Sequence, residues 1–181
     1  LKIWDMNSGM LVNAVNSKFD VNSVAFSPDG KIFASGNNDN TIQLWQADGG
    51  QPFKTLEGHN AGVQAIAFSP DSKYLASESA DSSLRLWDLS SGQALLTLQG
   101  HTLPECSLAF TPDGKVLVSA GVDKSGDSFT EGAGIIRLWE IPGGRLLKTL
   151  EIGPVQYYSF PAALSPDGKF LACGIAGVSL E

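Results

Sequence analysis

Short runs of alternating hydrophobic and polar residues recur along the chain, and turn-forming residues separate them. The run 21–26, VNSVAF, places Val24 and Phe26 on one face of an extended strand, because successive side chains of a strand point to opposite sides. A tetrapeptide of the type Ser-Pro-Asp-Gly follows this run at 27–30 and recurs at 69–72, 111–114 and 165–168. Proline, aspartate and glycine are the residues that tight turns need. The pattern predicts an all-β chain of short strands.

The pattern is a tandem repeat. Tryptophans stand at positions 4, 45, 87 and 139, so that 41 to 42 residues separate the first three. The most complete copy, 58–88, opens with Gly-His, continues through the turn tetrapeptide and a Leu-Ala-Ser segment with a following Asp, and closes with Trp-Asp. Landmarks that recur in a fixed order indicate one structural unit repeated along the chain.

This repeat resembles the WD40 family of β-propeller blades. The resemblance implies an all-β, WD40-type β-propeller built of four-stranded antiparallel blades, with this chain supplying four blade equivalents. It divides the chain into the third and fourth strands of an incomplete blade at 1–15, complete blades at 16–57, 58–99 and 100–150, and the first and second strands of an incomplete blade at 151–181.

The blade at 100–150 carries an insert at 124–134, which we expect to be a polar, glycine-rich loop on the rim. Four oxygen-bearing side chains lie in or beside it: Asp123, Ser125, Asp127 and Glu131. The spacing lacks the glycine and the final glutamate of an EF-hand loop. We therefore expect a solvated loop and no metal.

Half-blades at both ends carry unpaired strand edges, which invite pairing with another chain. We expect two copies to close head to tail as a homodimer with a ring of eight blades. Two alternatives stay open at this point. The chain could close on itself with four blades, or it could be part of a longer ring.

The resemblance also gives the recurring polar residues a structural role, in which histidine, serine, aspartate and tryptophan form a hydrogen-bonded chain inside each blade. The matching residues are His59, Ser77, Asp81 and Trp87; His101, Ser119, Asp123 and Trp139; and, in the blade without the histidine, Ser35, Asp39 and Trp45. A serine hydrolase is the competing interpretation, but a nucleophile has no reason to recur in every blade. We expect no catalytic residue, no cofactor and no enzyme activity.

In WD40 propellers, three positions of each repeat face the narrower opening of the ring, where peptides and proteins commonly bind. They correspond to Asp20, Asn22, Asn38, Gln64, Cys106, Tyr158 and Phe160 as candidate binding residues, with Gly62, Ala80, Pro104, Val122 and Ala176 at the remaining phases. Exposed aromatic residues are good binding anchors. Packing of Tyr158 and Phe160 in the core or between chains is an equal alternative.

Charge and cysteine content narrow the range of possible functions further. The formal net charge is −7, and lysine and arginine are scattered singly, so we expect neither nucleic-acid nor membrane binding. Cys106 and Cys173 have no metal-site or disulfide spacing, and we expect a cytoplasmic location. The sequence therefore predicts a non-catalytic protein-interaction scaffold with a protein or peptide partner. The alternative is a regulatory or sensor propeller from a larger signalling enzyme.

Overall fold

A computed structural model describes residues 1–15, 17–48, 52–103, 107–124, 132–155 and 161–174. Every regular element among these residues is a β-strand, and none of them forms a helix that could cross a membrane. The strands are β1 (Lys2–Trp4), β2 (Leu11–Ala14), β3 (Val21–Phe26), β4 (Ile32–Asn37), β5 (Ile42–Gln46), β6 (Pro52–Leu56), β7 (Val63–Phe68), β8 (Tyr74–Ser79), β9 (Ser83–Asp88), β10 (Ala94–Gln99), β11 (Ser107–Phe110), β12 (Val116–Lys124), β13 (Gly132–Glu140), β14 (Leu146–Val155), β15 (Ala162–Leu164) and β16 (Leu171–Cys173).

The strands form antiparallel sheets in which neighbours in sequence are neighbours in space. Three sheets have four strands, β3 to β6, β7 to β10 and β11 to β14, and two sheets have two strands, β1–β2 and β15–β16. No sheet is closed on itself among the described residues. The prediction of an all-β chain built of four-stranded antiparallel blades is confirmed. We call the four-stranded sheets blades one, two and three in chain order.

The turn tetrapeptides connect the first strand of each blade to the second. In blade one the Ser27 hydroxyl donates to the Asp29 carboxylate at 2.7 Å and accepts from the backbone N–H of Ile32 at 3.1 Å. Gly30 takes the left-handed conformation with φ of 70°, as Ser72 does in blade two with φ of 59°. Glycine adopts this conformation without steric cost, which explains its recurrence at the last turn position.

The blades pack side by side through their first strands. Strand β3 contacts β7, β7 contacts β11 and β11 contacts β15. Between blades one and two lies an apolar cluster that includes Leu44, Val63 and Phe68. A Cβ atom on Gly36 would come within 2.8 Å of a methyl group of Val63, so the close approach of these two blades requires glycine at this position.

In each of the four sheets that contain a tryptophan, the outermost strand has a β-bulge at the residue eight positions after that tryptophan. The bulged residues are Val12, Phe53, Leu95 and Leu147. All four are large apolar side chains that remain exposed. Bulges increase the local twist and interrupt the hydrogen-bonding ladder, so they protect an outer edge from pairing with the edge of another sheet.

The insert in blade three differs from the expected loop. Strands β12 and β13 continue as a longer hairpin in which Lys124 pairs with Gly132 and Val122 with Gly134. Residues 132–134 and Lys124 therefore belong to strands, while residues 125–131 lie outside the described part of the chain. No proline occurs between 113 and 141, so every residue of this hairpin can donate its N–H to the ladder.

Candidate functional site

The four polar residues of blade two lie in one hydrogen-bonded chain. The indole N–H of Trp87 on β9 donates to the hydroxyl of Ser77 on β8 at 2.8 Å. That hydroxyl lies 2.8 Å from Nε2 of His59, and Nδ1 of His59 lies 3.1 Å from the carboxylate of Asp81. Because an ionised carboxylate can only accept, Nδ1 of His59 carries the ring proton and donates it to Asp81. In a neutral imidazole Nε2 is then the acceptor, so Ser77 donates to Nε2 and accepts from the indole N–H of Trp87.

The charge in this chain resides on Asp81. Burial acts to raise the pKa of its carboxyl group, but hydrogen bonds from the Ser83 hydroxyl, from the backbone N–H groups of Asn60 and Ser83 and from His59 outweigh burial and hold the pKa well below its ordinary value. Burial lowers the pKa of His59, so its imidazole is neutral near pH 7. A neutral imidazole matches the direction of the hydrogen bonds.

Blade three brings the same four residues together with longer contacts, and Nη1 of Arg137 lies 3.1 Å from Nδ1 of His101. Because a guanidinium can only donate, this contact makes Nδ1 an acceptor, unlike the same atom in blade two. Trp139 donates to the Ser119 hydroxyl at 3.1 Å, and Nε2 of His101 lies 3.2 Å from that hydroxyl. Nδ1 of His101 lies 3.4 Å from the carboxylate of Asp123. The structure therefore brings all four predicted residues together here as well.

Arg137 joins the chain of blade three, and the sequence reasoning missed it. Its guanidinium donates to the carboxylate of Asp123 and, at 3.2 Å, to the backbone carbonyl of Gly100. Burial acts to raise the pKa of Asp123, but the contacts with His101 and Arg137 outweigh it and keep the pKa low. A signal was present, because Arg85 and Arg137 both stand two residues before the tryptophan of their repeats.

Blade one holds an incomplete chain. Trp45 donates to the Ser35 hydroxyl at 3.0 Å. Asp39 instead accepts from the hydroxyl of Thr41 at 2.8 Å. Ser17 occupies the histidine position and donates to the backbone carbonyl of Phe19 at 2.7 Å. Without an imidazole, the serine and the aspartate of this blade are not joined.

These side chains are buried, so a substrate has little access to them. Ser77 and Ser119 have no exposed surface, and only 6% of His59 and 1% of His101 are exposed. A nucleophile and its base must reach the substrate, and the buried faces of these residues already contact one another. The geometry supports the predicted structural role.

A second missed residue, Glu78, links blades two and three. Its side chain is 2% exposed, and Oε1 accepts the backbone N–H of His101 at 2.6 Å. Gly100 leaves room for it, since a Cβ atom there would lie 2.8 Å from the same oxygen. The histidine of one blade is thus also held by the preceding blade.

The surface candidates of blades one and two lie next to one another. Asn22 and Gln64 are the bulge residues of the first strands β3 and β7. The Asn22 amide donates to the carbonyl of Val63 at 3.1 Å, and the carbonyl of Asp20 accepts the N–H of Asn38 at 2.9 Å. Asp20, Asn22 and Asn38 are exposed and Gln64 is half-buried. We call these four residues the amide face.

The remaining surface candidates divide into three groups. Gly62 is buried and Ala80 is exposed. Val122, at the phase of Asn38, is 1% exposed and packs in an apolar cluster with Leu103 and Ile136; the expected position on the binding face is wrong for this residue, because the longer hairpin continues past it. The other candidates lie outside the described residues: Cys106, Tyr158 and Phe160, with Pro104 and Ala176.

The described residues contain no cluster of histidine, cysteine, aspartate and glutamate that could hold a metal ion. Asp123, one of the four oxygen-bearing residues in or beside the insert, has its carboxylate bound to Arg137 and close to His101. Its proposed companions Ser125, Asp127 and Glu131 lie outside the described residues.

Comparison with known proteins agrees with the repeat pattern. The family model for the WD domain, G-beta repeat, matches residues 11–46, 50–88 and 92–125, more than half of the chain. An uncharacterized WD repeat-containing protein of Nostoc sp. is 46% identical over 41 residues, which are 23% of this chain and 3% of that protein. Autophagy-related protein 16 of Arabidopsis thaliana is 30% identical over 63 residues, 35% of this chain and 12% of the relative.

The human serine-threonine kinase receptor-associated protein is 39% identical over 51 residues, 28% of this chain and 15% of its own length. The chain thus matches only a small part of these relatives. The relatives share with it the repeat unit, whose sheets and buried polar chains are described above. With its matched repeats and its four-stranded antiparallel sheets, the chain belongs to the WD40 family of WD domain, G-beta repeats.

Proposed function

We propose that this chain is a non-catalytic scaffold that binds an extended segment of a partner protein across the amide face. WD40 repeats serve in general as platforms for protein interaction, and their blades carry the recurring histidines and serines as internal supports. The observation that carries the proposal is that Asp20, Asn22, Asn38 and Gln64 lie next to one another at the same end of blades one and two.

The chemistry of the amide face favours a peptide backbone as the ligand. Asparagine and glutamine side chains both donate and accept hydrogen bonds, which matches the alternating N–H and C=O groups of an extended chain. Asp20 adds a carboxylate on a chain with net charge −7. A partner segment with a basic residue beside an extended stretch therefore fits this surface best.

The test is peptide selection against the purified chain, followed by affinity measurement of the selected peptides. We expect the triple variant Asn22→Ala, Asn38→Ala, Gln64→Ala to bind about tenfold or more weakly, since each lost hydrogen bond removes about 1 kcal/mol. The matched control is Lys31→Ala with Lys73→Ala, whose exposed side chains lie on the turns at the other end of the first strands. Equal affinity of the triple variant and the control would contradict the proposal.

We also propose that two copies close the platform as an eight-bladed homodimer. The sheet β1–β2 carries the tryptophan of a third strand followed by an outer strand, and the sheet β15–β16 carries the first strand, turn and second strand. Together they contain the four strands of one blade. Light scattering is expected to give twice the mass of one chain, and the mass of a single chain at high concentration would contradict this part of the proposal.

A further inference from the structure

The turns of blades two and three border a groove at the end of the blades opposite the amide face. The groove has a volume of about 290 Å³. Its lining includes Pro70, Asp71, Tyr74, Pro112, Asp113 and Gly114. A cavity of about 150 Å³ in another protein holds benzene, so the groove has room for one flat side chain. The buried polar chains and the amide face use none of these residues.

A hydroxyl group that would bridge these two turns is missing. At the last turn position of blade two, the Ser72 hydroxyl accepts the backbone N–H of Asp29 at 3.3 Å and so joins the turns of blades one and two. Blade three has Gly114 at this position. A Cβ atom on Gly114 would lie 3.6 Å from Cδ of Pro70, so the two turns come close and the space that a serine would fill stays open.

Apolar surface forms the walls of the groove. Pro70 and Pro112 are exposed, and Tyr74 is half-buried. The Tyr74 side chain packs against the apolar cluster between blades two and three. In the other repeats isoleucine, valine and phenylalanine stand at its position, so blade two alone places a hydroxyl group there. Within the described part of the chain, this hydroxyl forms no hydrogen bond.

The groove also contains a carboxylate without an ion pair. In the other three turns the aspartate pairs with the lysine two residues later, at 3.3 to 3.7 Å. Asp113 has no such pair with the described residues. Its Oδ1 accepts from the hydroxyl of Thr111 at 2.6 Å and from the backbone N–H of Lys115 at 3.1 Å. These bonds lower the pKa of Asp113, so its carboxylate is ionised at neutral pH and Oδ2 is available to a ligand.

We propose that the groove binds an arginine side chain of a partner protein, with the guanidinium against the ring of Tyr74 and its N–H groups donated to the carboxylate of Asp113. A guanidinium is flat, stacks on aromatic rings and donates two parallel N–H groups to a carboxylate, whereas the ammonium of lysine is a strongly hydrated point charge. The net charge of −7 favours the approach of a basic segment. This site lies at the other end of the blades from the amide face and does not rest on it.

The first test titrates the isotope-labelled chain with blocked peptides that hold arginine, lysine or the uncharged analogue citrulline between glycines. We expect the arginine peptide to shift the amide NMR signals around the groove and to bind most tightly. Asp113→Asn keeps the oxygen that accepts from Thr111 and Lys115, and it should weaken binding of the arginine peptide about tenfold. Asp29→Asn is the matched control, because Asp29 already pairs with Lys31, and leaves the affinity unchanged.

A second pair of variants fills the groove without changing its charge. Gly114→Ser gives blade three the residue that blade two has at this turn position, where Ser72 adopts φ of 59°. Its side chain takes up space beside Pro70, so the arginine peptide should bind about threefold or more weakly. Gly30→Ser is the matched control, since Gly30 has the same φ of 70° as Gly114 and no atom lies within 4 Å of a Cβ there.

The outcomes distinguish the possible sites and occupants. Signal shifts confined to the amide face overturn the groove as the site of the basic peptide. Equal affinity for lysine and arginine, or for Asp113→Asn and the wild type, overturns the guanidinium contact. A doubled mass that Asp113→Asn halves makes a second copy the occupant and overturns the assignment to a partner protein. A preference for arginine that Asp113→Asn and Gly114→Ser reduce, and that both controls retain, establishes the contact.

Discussion

The apolar face of the first strand is buried in blade two and exposed in blade one. Ile66 and Phe68 on β7 are 7% and 8% exposed, whereas Val24 and Phe26, at the same positions of the preceding repeat, are 58% and 57% exposed. The difference lies in what covers them, because blade one packs over β7 and no described residue covers β3 in the same way. A repeat makes one apolar face, and only its neighbour can bury it.

The largest expected change in stability comes from removing an aromatic ring from each of these two strands. Phe68→Ala should lower the free energy of unfolding by about 3 to 5 kcal/mol, the usual cost of removing a buried phenyl ring. Phe26→Ala should lower it by less than about 1 kcal/mol, as for an exposed position. Urea unfolding at low protein concentration, where single copies predominate, measures both.

Repeating the unfolding measurements at several protein concentrations tests the comparison further. If two copies close the ring, the cost of Phe26→Ala should rise with concentration, because the second copy then covers β3. Equal losses for the two variants at low concentration would show that the neighbouring blade does not decide the stability of these positions.

The polar chains offer a second comparison. Asp81→Ala should lower the free energy of unfolding by about 1 to 3 kcal/mol, because it leaves His59, Ser83 and the N–H of Asn60 without their acceptor. Asp39→Ala in blade one is the matched control and should cost less, since among the described residues Asp39 accepts from Thr41 alone, through its backbone N–H and its hydroxyl. Thermal unfolding of both variants measures the difference, and a harmless Asp81→Ala would contradict the structural role of the chain.

The sequence was most informative where spacing repeats. The phase of Trp45 and Trp87 located β5 and β9, and the recurring turns located the hairpins. It was less informative where one blade departs from the others, as at Lys124 and Gly132, because hairpin length depends on how far two backbones continue to pair and not on residue type. A single repeat pattern also could not show that Arg137 takes a carboxylate contact that Ser83 makes in blade two.

Burial was the least predictable property. The alternation placed Val24 and Phe26 correctly on one face, yet no local signal distinguishes them from Ile66 and Phe68. The Ser77–His59 contact could be expected from the family resemblance, but the role of Glu78 could not, since its partner is a backbone group of the following blade. Contacts between repeats are a property of the assembly and leave little trace in one repeat.

Lowering the pH should reduce the stability of the fold, because His59 in blade two is held in its neutral form. Its pKa in the folded chain is lowered by burial, so below about pH 6.5, the ordinary histidine value, the unfolded chain binds more protons than the folded one. Stability is therefore complete above that pH and falls as the pH drops. Asp81 contributes no change between pH 7 and 5, because its pKa lies below this window in both states.

The measurement is the free energy of unfolding in urea between pH 7 and pH 5, for the wild type and for His59→Gln. The variant lacks the titrating ring and should show a flatter dependence on pH. Parallel curves for the two proteins would assign the acid sensitivity to other groups.

The smallest expected effect comes from adding to blade one the histidine that blade two has. Ser17→His places an imidazole at the position of His59, between Ser35, whose hydroxyl already accepts from Trp45, and Asp39. Two new hydrogen bonds are gained, and the bond from Ser17 to Phe19 is lost. We expect a net stabilisation of about 1 kcal/mol or less. Asp39→Ala supplies the test of mechanism, because the gain should shrink in that background if the imidazole bridges the two residues. An equal gain with and without Asp39 would mean that the ring stabilises blade one by packing alone.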